Sequence, residues 1–156
     1  MSRLFSYTIP IDDGAAPNPF HGMCSLAICK PTIRRVAQPG DWIAGLGSRH
    51  APSGDLSSRL VCAMVVQEAI SLAQYDRRAP QEWPQRIPNL MSRDLADRLG
   101  DCIYNYGAGD PPEQRAGVHS AANRKADIGG MNVLLSWDFY YFGNRAIKLR
   151  EDLLPI

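Results

Sequence analysis

Arg34–His50 reads RRVAQPGDWIAGLGSRH. Its two arginines close a segment, PTIRRVAQ, whose leading Pro31 suits the first turn of a helix one or two turns long. Gln38-Pro39-Gly40-Asp41 puts proline and glycine at the central positions of a type II turn. Trp42–Gly47, WIAGLG, then reads as a strand, and Ser48, Arg49 and His50 tip a glycine-rich exit. Helix, turn and strand in one short stretch point to a mixed α+β chain.

Outward from that stretch the pattern is strand-rich. LFSYTIP alternates, with Phe5, Tyr7 and Ile9 on one face, and Pro10 ends it. Prolines and glycines keep DDGAAPNPFHG out of regular structure. MCSLAICK is a second strand with Cys24, Leu26 and Ile28 on one face. Downstream, RLVCAMVVQEA reads as one long apolar strand at the centre of a sheet. SLAQYDRR opens with a capping-box pattern, Ser71 with Gln74, and predicts a short helix. APQEWPQRIPNL is an irregular crossing, and SRDLADRLG a second helix with Ser92 as N-cap and Gly100 at its end. The Gly/Pro/polar segment 106–130 is long enough to be either functional or disordered. MNVLLSWDFYYFG gives a strand, a corner and an aromatic strand. The sum is one domain over 1–156: α+β, a small curved or closed, mainly antiparallel β-barrel with two or three short helices.

Composition bounds the function. At 156 residues the chain can bury a core without staples. A formal charge of +1 argues against a DNA-coating protein, although a local basic patch is compatible with it. No apolar run reaches membrane-spanning length and no signal pattern opens the chain, so a cytoplasmic protein is expected. Four cysteines in apolar contexts fit a reducing compartment and buried free thiols.

The residues that can carry chemistry are scattered. Arg34 and Arg35 beside Trp42 offer guanidinium and aromatic groups that can grip phosphate and stack a base, or else a solvated helix face and a core ring. Gly45-Leu46-Gly47-Ser48 resembles a phosphate cradle but lacks the helix that the usual templates require. Cys24 and Cys29 fall on opposite strand faces, and no Cys-x-x-Cys or His-x-Glu pattern appears, so no metal site and no cofactor are expected. A cysteine nucleophile, Cys24 or Cys29, served by His21 or His119, is conceivable. His119, Ser120, Arg124, Lys125 and Asp127 cluster in the long segment as a ligand-contacting arm or a solvated loop. Asp101, Tyr104 and Asn105 line a pocket or complete a turn. In Phe139–Phe142 the rings at 139 and 141 share one face and those at 140 and 142 the other, so one pair packs the core.

Two resemblances add to this reading. RRVAQPGDWIAGLGS followed by RLVCAMVVQEAISLAQY resembles the middle of PUA-like domains, including their EVE and ASCH relatives. Over the full length, FSYTIPIDDGAAPNPFHGMCSLAICKPTIRR, GDWIAGLGS, GDCIYNYG and VLLSWDFYYFG look like the second family of nucleotide-modification-associated domains, found in phages and bacteria. Asn18, Cys24, Lys30, Arg34, Asp41, Trp42, Ser48, Asp101, Tyr104, Ser136 and Gly143 fall on its motifs, while Cys102 stands where the family pattern has asparagine.

The resemblance implies a nucleotide- or nucleobase-binding domain that recognises a modified base or nucleotide, in DNA modification or defence. The ligand set would be Asn18, Lys30, Arg34, Trp42, Ser48, Tyr104, Ser120 and Ser136, with a flipped base as one mode of access. An enzyme acting on a base or nucleotide is the alternative, with Asp101 and His119 as its first catalytic candidates and Cys24 and Asp41 behind them, Asp41 being committed to its turn. A protein that sequesters a free nucleotide is another. The expected partner is a modified nucleobase, a nucleotide or a nucleic acid, not a membrane.

Overall fold

The computed structural model describes residues 1–153. In chain order the strands are β1 Leu4–Ile9, β2 Cys24–Leu26, β3 Trp42–Gly47, β4 Arg59–Val65, β5 Glu68–Ser71, β6 Tyr104–Asn105, β7 Glu113–Gln114, β8 Asn132–Ser136, β9 Phe139–Tyr141 and β10 Ile147–Lys148. The α-helices are α1 Pro31–Val36, α2 Leu72–Glu82, α3 Leu95–Arg98 and α4 Arg124–Gly129.

The larger sheet runs β1-β3-β4, and the far edge of β4 is shared by β10 and β9. Among the described residues only β1 and β3 pair in parallel, so the antiparallel expectation holds for the other pairings. A second sheet has the order β2-β8-β5, and β6 pairs with β7. These pairings leave the sheets open, so no closed barrel forms among the described residues.

Alternation explains the layering. Tyr7, Ile9, Ile43, Cys62 and Met64 of the larger sheet face Cys24, Leu26 and Leu134 of the smaller one in a single apolar cluster. Val133 and Leu135, pointing the other way from β8, pack with Leu72, Tyr75 and Ala79 of α2. The smaller sheet is therefore buried on both faces, and β2 shows no exposed side. Ile28, expected on the face of Cys24 and Leu26, lies beyond the strand in a third cluster with Leu99, Ile103 and Tyr104.

Local chemistry sets the element ends. Gly40, at φ 93°, occupies the left-handed position that a type II turn requires, and Asp41 N–H donates to Gln38 O at 3.0 Å. Asp41 also accepts from Gln38 N–H at 2.9 Å and from the Arg3 guanidinium at 2.6 Å. That guanidinium first, with the backbone donors, holds the carboxyl well below the usual carboxylate range. The Ser71–Gln74 capping box is present at the start of α2, which runs on past Pro80 to Glu82 through the segment expected to be irregular. In α3 the cap is Asp94; Ser92 instead accepts from Asp94 N–H.

Two expectations fail for physical reasons. The run 59–69, RLVCAMVVQEA, is not one strand. It breaks at Val66–Gln67, and β5 joins the other sheet because Gln67 turns to bond Leu135 O and the backbone of the Trp137–Asp138 corner. The glycines of WIAGLG are packing residues: a Cβ on Gly45 would lie 2.5 Å from Cys62 Sγ, and one on Gly47 would strike Leu56.

Candidate active site

The long segment 106–130 is folded back against the start of α1, and there it completes a linear array of three side chains. Cys29 Sγ lies 3.3 Å from His119 Nε2. His119 Nδ1 donates to Asp127 Oδ2 at 2.6 Å. Cys29 immediately precedes the Lys30-Pro31 entry to α1, His119 sits ahead of a 3-10 turn, and Asp127 is on α4. Nucleophile, base and orienting carboxylate in this order is the arrangement that activates a thiol.

The peptide group of Cys29 is clamped on both sides. Its N–H donates to Asp127 Oδ1 at 2.8 Å, and its carbonyl accepts from Arg34 Nη1 at 3.0 Å. The clamp has a conformational consequence. Cys29 (φ 58°) and Lys30 (φ 41°) are consecutive non-glycine residues in the left-handed region, each costing about 1–2 kcal/mol. Strain of that kind persists where surrounding bonds over-determine it, and it orients Sγ toward the ring.

Asp127 is fully buried and accepts three donors: Cys29 N–H, His119 Nδ1 and the Tyr104 hydroxyl at 2.9 Å. Burial alone would raise its pKa; the three donors and the charge on His119 bring it below the ordinary aspartate value. The same hydrogen bond to Asp127, then that to Cys29, pushes His119 up to about 10, so the ring is an imidazolium at neutral pH. Arg34, with no exposed surface, lies behind the array and donates to Asn132 O at 2.7 Å. Desolvation draws its pKa down to about 10, and the Asp127 charge opposes that fall.

The donor atoms of Cys29, His119 and Asp127 lie within 4.8 Å of one another, which also admits a metal. The two contacts, however, use opposite nitrogens of one imidazole, so Cys29 and Asp127 flank the ring instead of converging on a shared point. Sulfur and carboxylate joined through the ring suit proton transfer better than tripodal ligation.

A cleft of about 440 Å³ opens beside this array, lined by Ile9, Ile11, Asp13, Cys29, Lys30 and His119 among others. Lys30 crosses it, its Nζ donating to Thr8 O at 2.9 Å and lying 4.8 Å from the Tyr7 ring centroid.

The residues singled out from sequence divide into three groups. His119 and Lys30 line the cleft, with Arg34 and Tyr104 directly behind the array. Asp101 and Asn18 belong to a separate interior network. Asp101 accepts from Tyr75 and Ser25 hydroxyls, Arg86 donates to Ser25 Oγ at 2.9 Å and Asn18 O at 3.1 Å, and Asn18 Nδ2 donates to Leu99 O at 2.9 Å. Burial pushes the Asp101 carboxyl up, the Arg86 charge opposing. With that surrounding, Asp101 ties β2, α2 and the Arg86 turn together and reaches no cleft. Ser136 is buried, donating to Asp138 O; Ser48 accepts from His50 N–H; Ser120 caps the 3-10 turn after His119. Trp42 pairs with Leu4 while Ile9, at the cleft, pairs with Gly47, so roughly 17 Å of strand separates the indole from the cleft.

Asp127, which the sequence offers as part of a ligand-contacting arm or a solvated loop, is instead the buried carboxylate that orients His119. The sequence signal for the site is a cysteine just ahead of a helix-starting Lys-Pro, with His and Asp together in a loop too long to be a plain connection. Cys24, the other thiol considered, is 1% exposed, and burial pushes it far up, out of reach of a base. His21 instead faces Asp97 at 3.2 Å.

Among the described residues no helix is long and apolar enough to cross a membrane. No curated protein and no solved structure matches the chain. A family model described as Nucleotide modification associated domain 2 matches residues 1–156. The chain belongs to that nucleotide-modification-associated family.

Proposed function

We propose that the protein is a thiol-dependent enzyme that acts on a nucleotide or nucleobase derivative, with Cys29 as nucleophile, His119 as acid and base, and Asp127 as the group that orients and charges the imidazole. The observation that carries this reading is the continuous Cys29–His119–Asp127 hydrogen-bonded array at the wall of a cleft. Binding of a nucleotide is retained within it as the first step. The simple reader, in which stacking on Trp42 would suffice, draws less support because that indole lies far from the cleft.

The reaction class suited to an imidazolium beside a thiolate is substitution at an sp² carbon that bears a nitrogen leaving group, an amide or amidine. The Cys29 sulfur pair forms the C–S bond as the C=O or C=N π pair moves to its heteroatom. The adduct collapses, the C–N bond breaks, and His119 Nε2–H protonates the departing nitrogen. Water, or an amine acceptor, then attacks the thioester or thioimidate while neutral His119 takes its proton. C–S cleavage returns the thiolate–imidazolium pair. The net change is hydrolysis of the C–N bond or transfer of the acyl or amidine group, with no oxidant or reductant consumed.

Iodoacetamide at limiting concentration and pH about 6.5 tests the nucleophile. Cys24, Cys62 and Cys102 are buried, whereas Cys29 is only partly so. Peptide mass spectrometry should find a single modified residue, Cys29, with His119→Ala lowering the rate at least tenfold. Equal rates in wild type and variant would defeat the assignment.

A further inference from the structure

A second hollow adjoins the cleft, between α1 and α4. Pro31 and Arg35 form one side and Ala122, Lys125, Ala126 and Gly129 the other of a shallow, open depression of about 470 Å³. The linings of the two depressions are consecutive in the chain at two places. On one side Cys29 and Lys30 of the cleft run directly into Pro31 of the hollow; on the other, Ala122 of the hollow is followed by Asn123 of the cleft.

The hollow is positive. Arg35 and Lys125 are both exposed, and among the described residues neither enters an ion pair. The other cations nearby are turned elsewhere: Lys30 donates to Thr8 O, the buried Arg34 to Cys29 O and Asn132 O, and Arg124 to Pro112 O, so Arg35 and Lys125 are the exposed cations of these two helices. The only acid on those helices, Asp127, is buried and turned to His119. Small residues, Ala122, Ala126 and Gly129, leave the floor open between the cations. Unpaired cations flanking an open floor recognise an oxyanion, and a phosphate carries the oxygens to bridge both.

We infer that this hollow is the phosphate subsite for the substrate: Arg35 and Lys125 hold the phosphate of a nucleotide whose base or acyl-bearing end reaches Cys29. The inference rests on the thiol-enzyme reading and names its substrate class as phosphorylated, a nucleotide in preference to a nucleoside. From Pro31 to Arg35 the helix advances about 6 Å, a span that a sugar-phosphate unit bridges. The phosphate can belong to a free nucleotide or to a nucleic-acid strand; the chemistry of capture is the same.

Protection of Cys29 from iodoacetamide tests this. The probes are inorganic phosphate, a mixture of the four deoxynucleosides, the corresponding 5′-monophosphates, and a mixed-sequence single-stranded oligodeoxynucleotide. The phosphate-bearing organic probes should protect at roughly tenfold lower concentration than the nucleosides, reflecting charge-assisted contacts. Arg35→Ala/Lys125→Ala should erase that preference, and Arg35→Lys/Lys125→Arg should keep it, with the unprotected alkylation rate and Tm unchanged in both. Equal protection by monophosphate and oligonucleotide assigns a single-nucleotide phosphate; protection by the oligonucleotide alone assigns a strand. Nucleosides protecting as well as nucleotides, an alanine pair that keeps the preference, or no protection by any probe would overturn the subsite. Failure of the thiol-enzyme reading looks different: Cys29 would then react slowly with no probe present.

Discussion

Asp127 carries the largest share of the local architecture for a single side chain: one oxygen fixes the Cys29 peptide and the other joins His119 and Tyr104. Asp127→Asn keeps the shape but loses the charge and leaves an amide where a carboxylate accepted three donors. The variant should lose at least tenfold in Cys29 alkylation rate and about 1–3 kcal/mol of stability in urea titration, the cost of mispaired buried donors. Arg34 makes a complementary case. Its guanidinium fits only because residue 130 is glycine; a Cβ there would lie 2.6 Å from Arg34 Cζ. Gly130→Ala should therefore cost about 1–3 kcal/mol and slow Cys29 alkylation as the clamp on its carbonyl shifts. An unchanged alkylation rate in a destabilised Gly130→Ala protein would separate Arg34 from the orientation of Cys29. From sequence Arg34 offered a helix-face cation for phosphate. Its burial was not legible there, since it depends on a gap made by a residue 96 positions away.

At the scale of elements, local signals with short reach were readable and long-range partition was not. The turn at Gly40, the helix start at Pro31, the aromatic strand and the Ser71–Gln74 box each depend on residues within four positions of one another. Phe139 and Tyr141 do pack the core, leaving Tyr140 exposed and stacked on Phe142 with centroids 6.5 Å apart. The break between β4 and β5 had no such local mark. β4 is apolar and β5, Glu68–Ser71, is half polar and half-buried, and no turn residue stands between them to mark the change of sheet at Gln67. The same break bears on the expected curved or closed sheet: no closed barrel is found among the described residues, and the chain from 59 to 69 is divided between two sheets instead of forming one long strand. The α2 cap gives a simple check. Ser71→Ala removes the acceptor for Gln74 N–H at 3.1 Å and should cost about 1 kcal/mol in urea denaturation, with Cys29 reactivity unchanged. A change below a few tenths of a kcal/mol would show that packing against Val133 and Leu135 alone holds the helix start.

For the whole molecule, the site is a product of topology: Cys29 meets His119 across 90 positions and Asp127 across 98. Sequence placed a cysteine nucleophile and His119 among several options, yet only folding of the 106–130 segment onto α1 selects the pair. This also ties stability to pH. His119 rises from 6.5 to about 10 on folding, so its contribution is complete below pH 6.5 and is lost as pH climbs through about 10. Asp127, held below 3.8, contributes above that pH and loses its contribution as pH falls through its folded value. The wild type should therefore lose stability relative to His119→Gln between pH 6.5 and 10, measured by urea midpoint; parallel curves would remove the charged pair from the account.

The central claim is that His119, oriented by Asp127, activates Cys29 as a nucleophile, and the rate at which iodoacetamide labels Cys29 in wild type, His119→Ala and Asp127→Asn tests it most directly. The predicted result is labelling at Cys29 in all three proteins, at least tenfold slower in both variants. Equal rates in the three would contradict it.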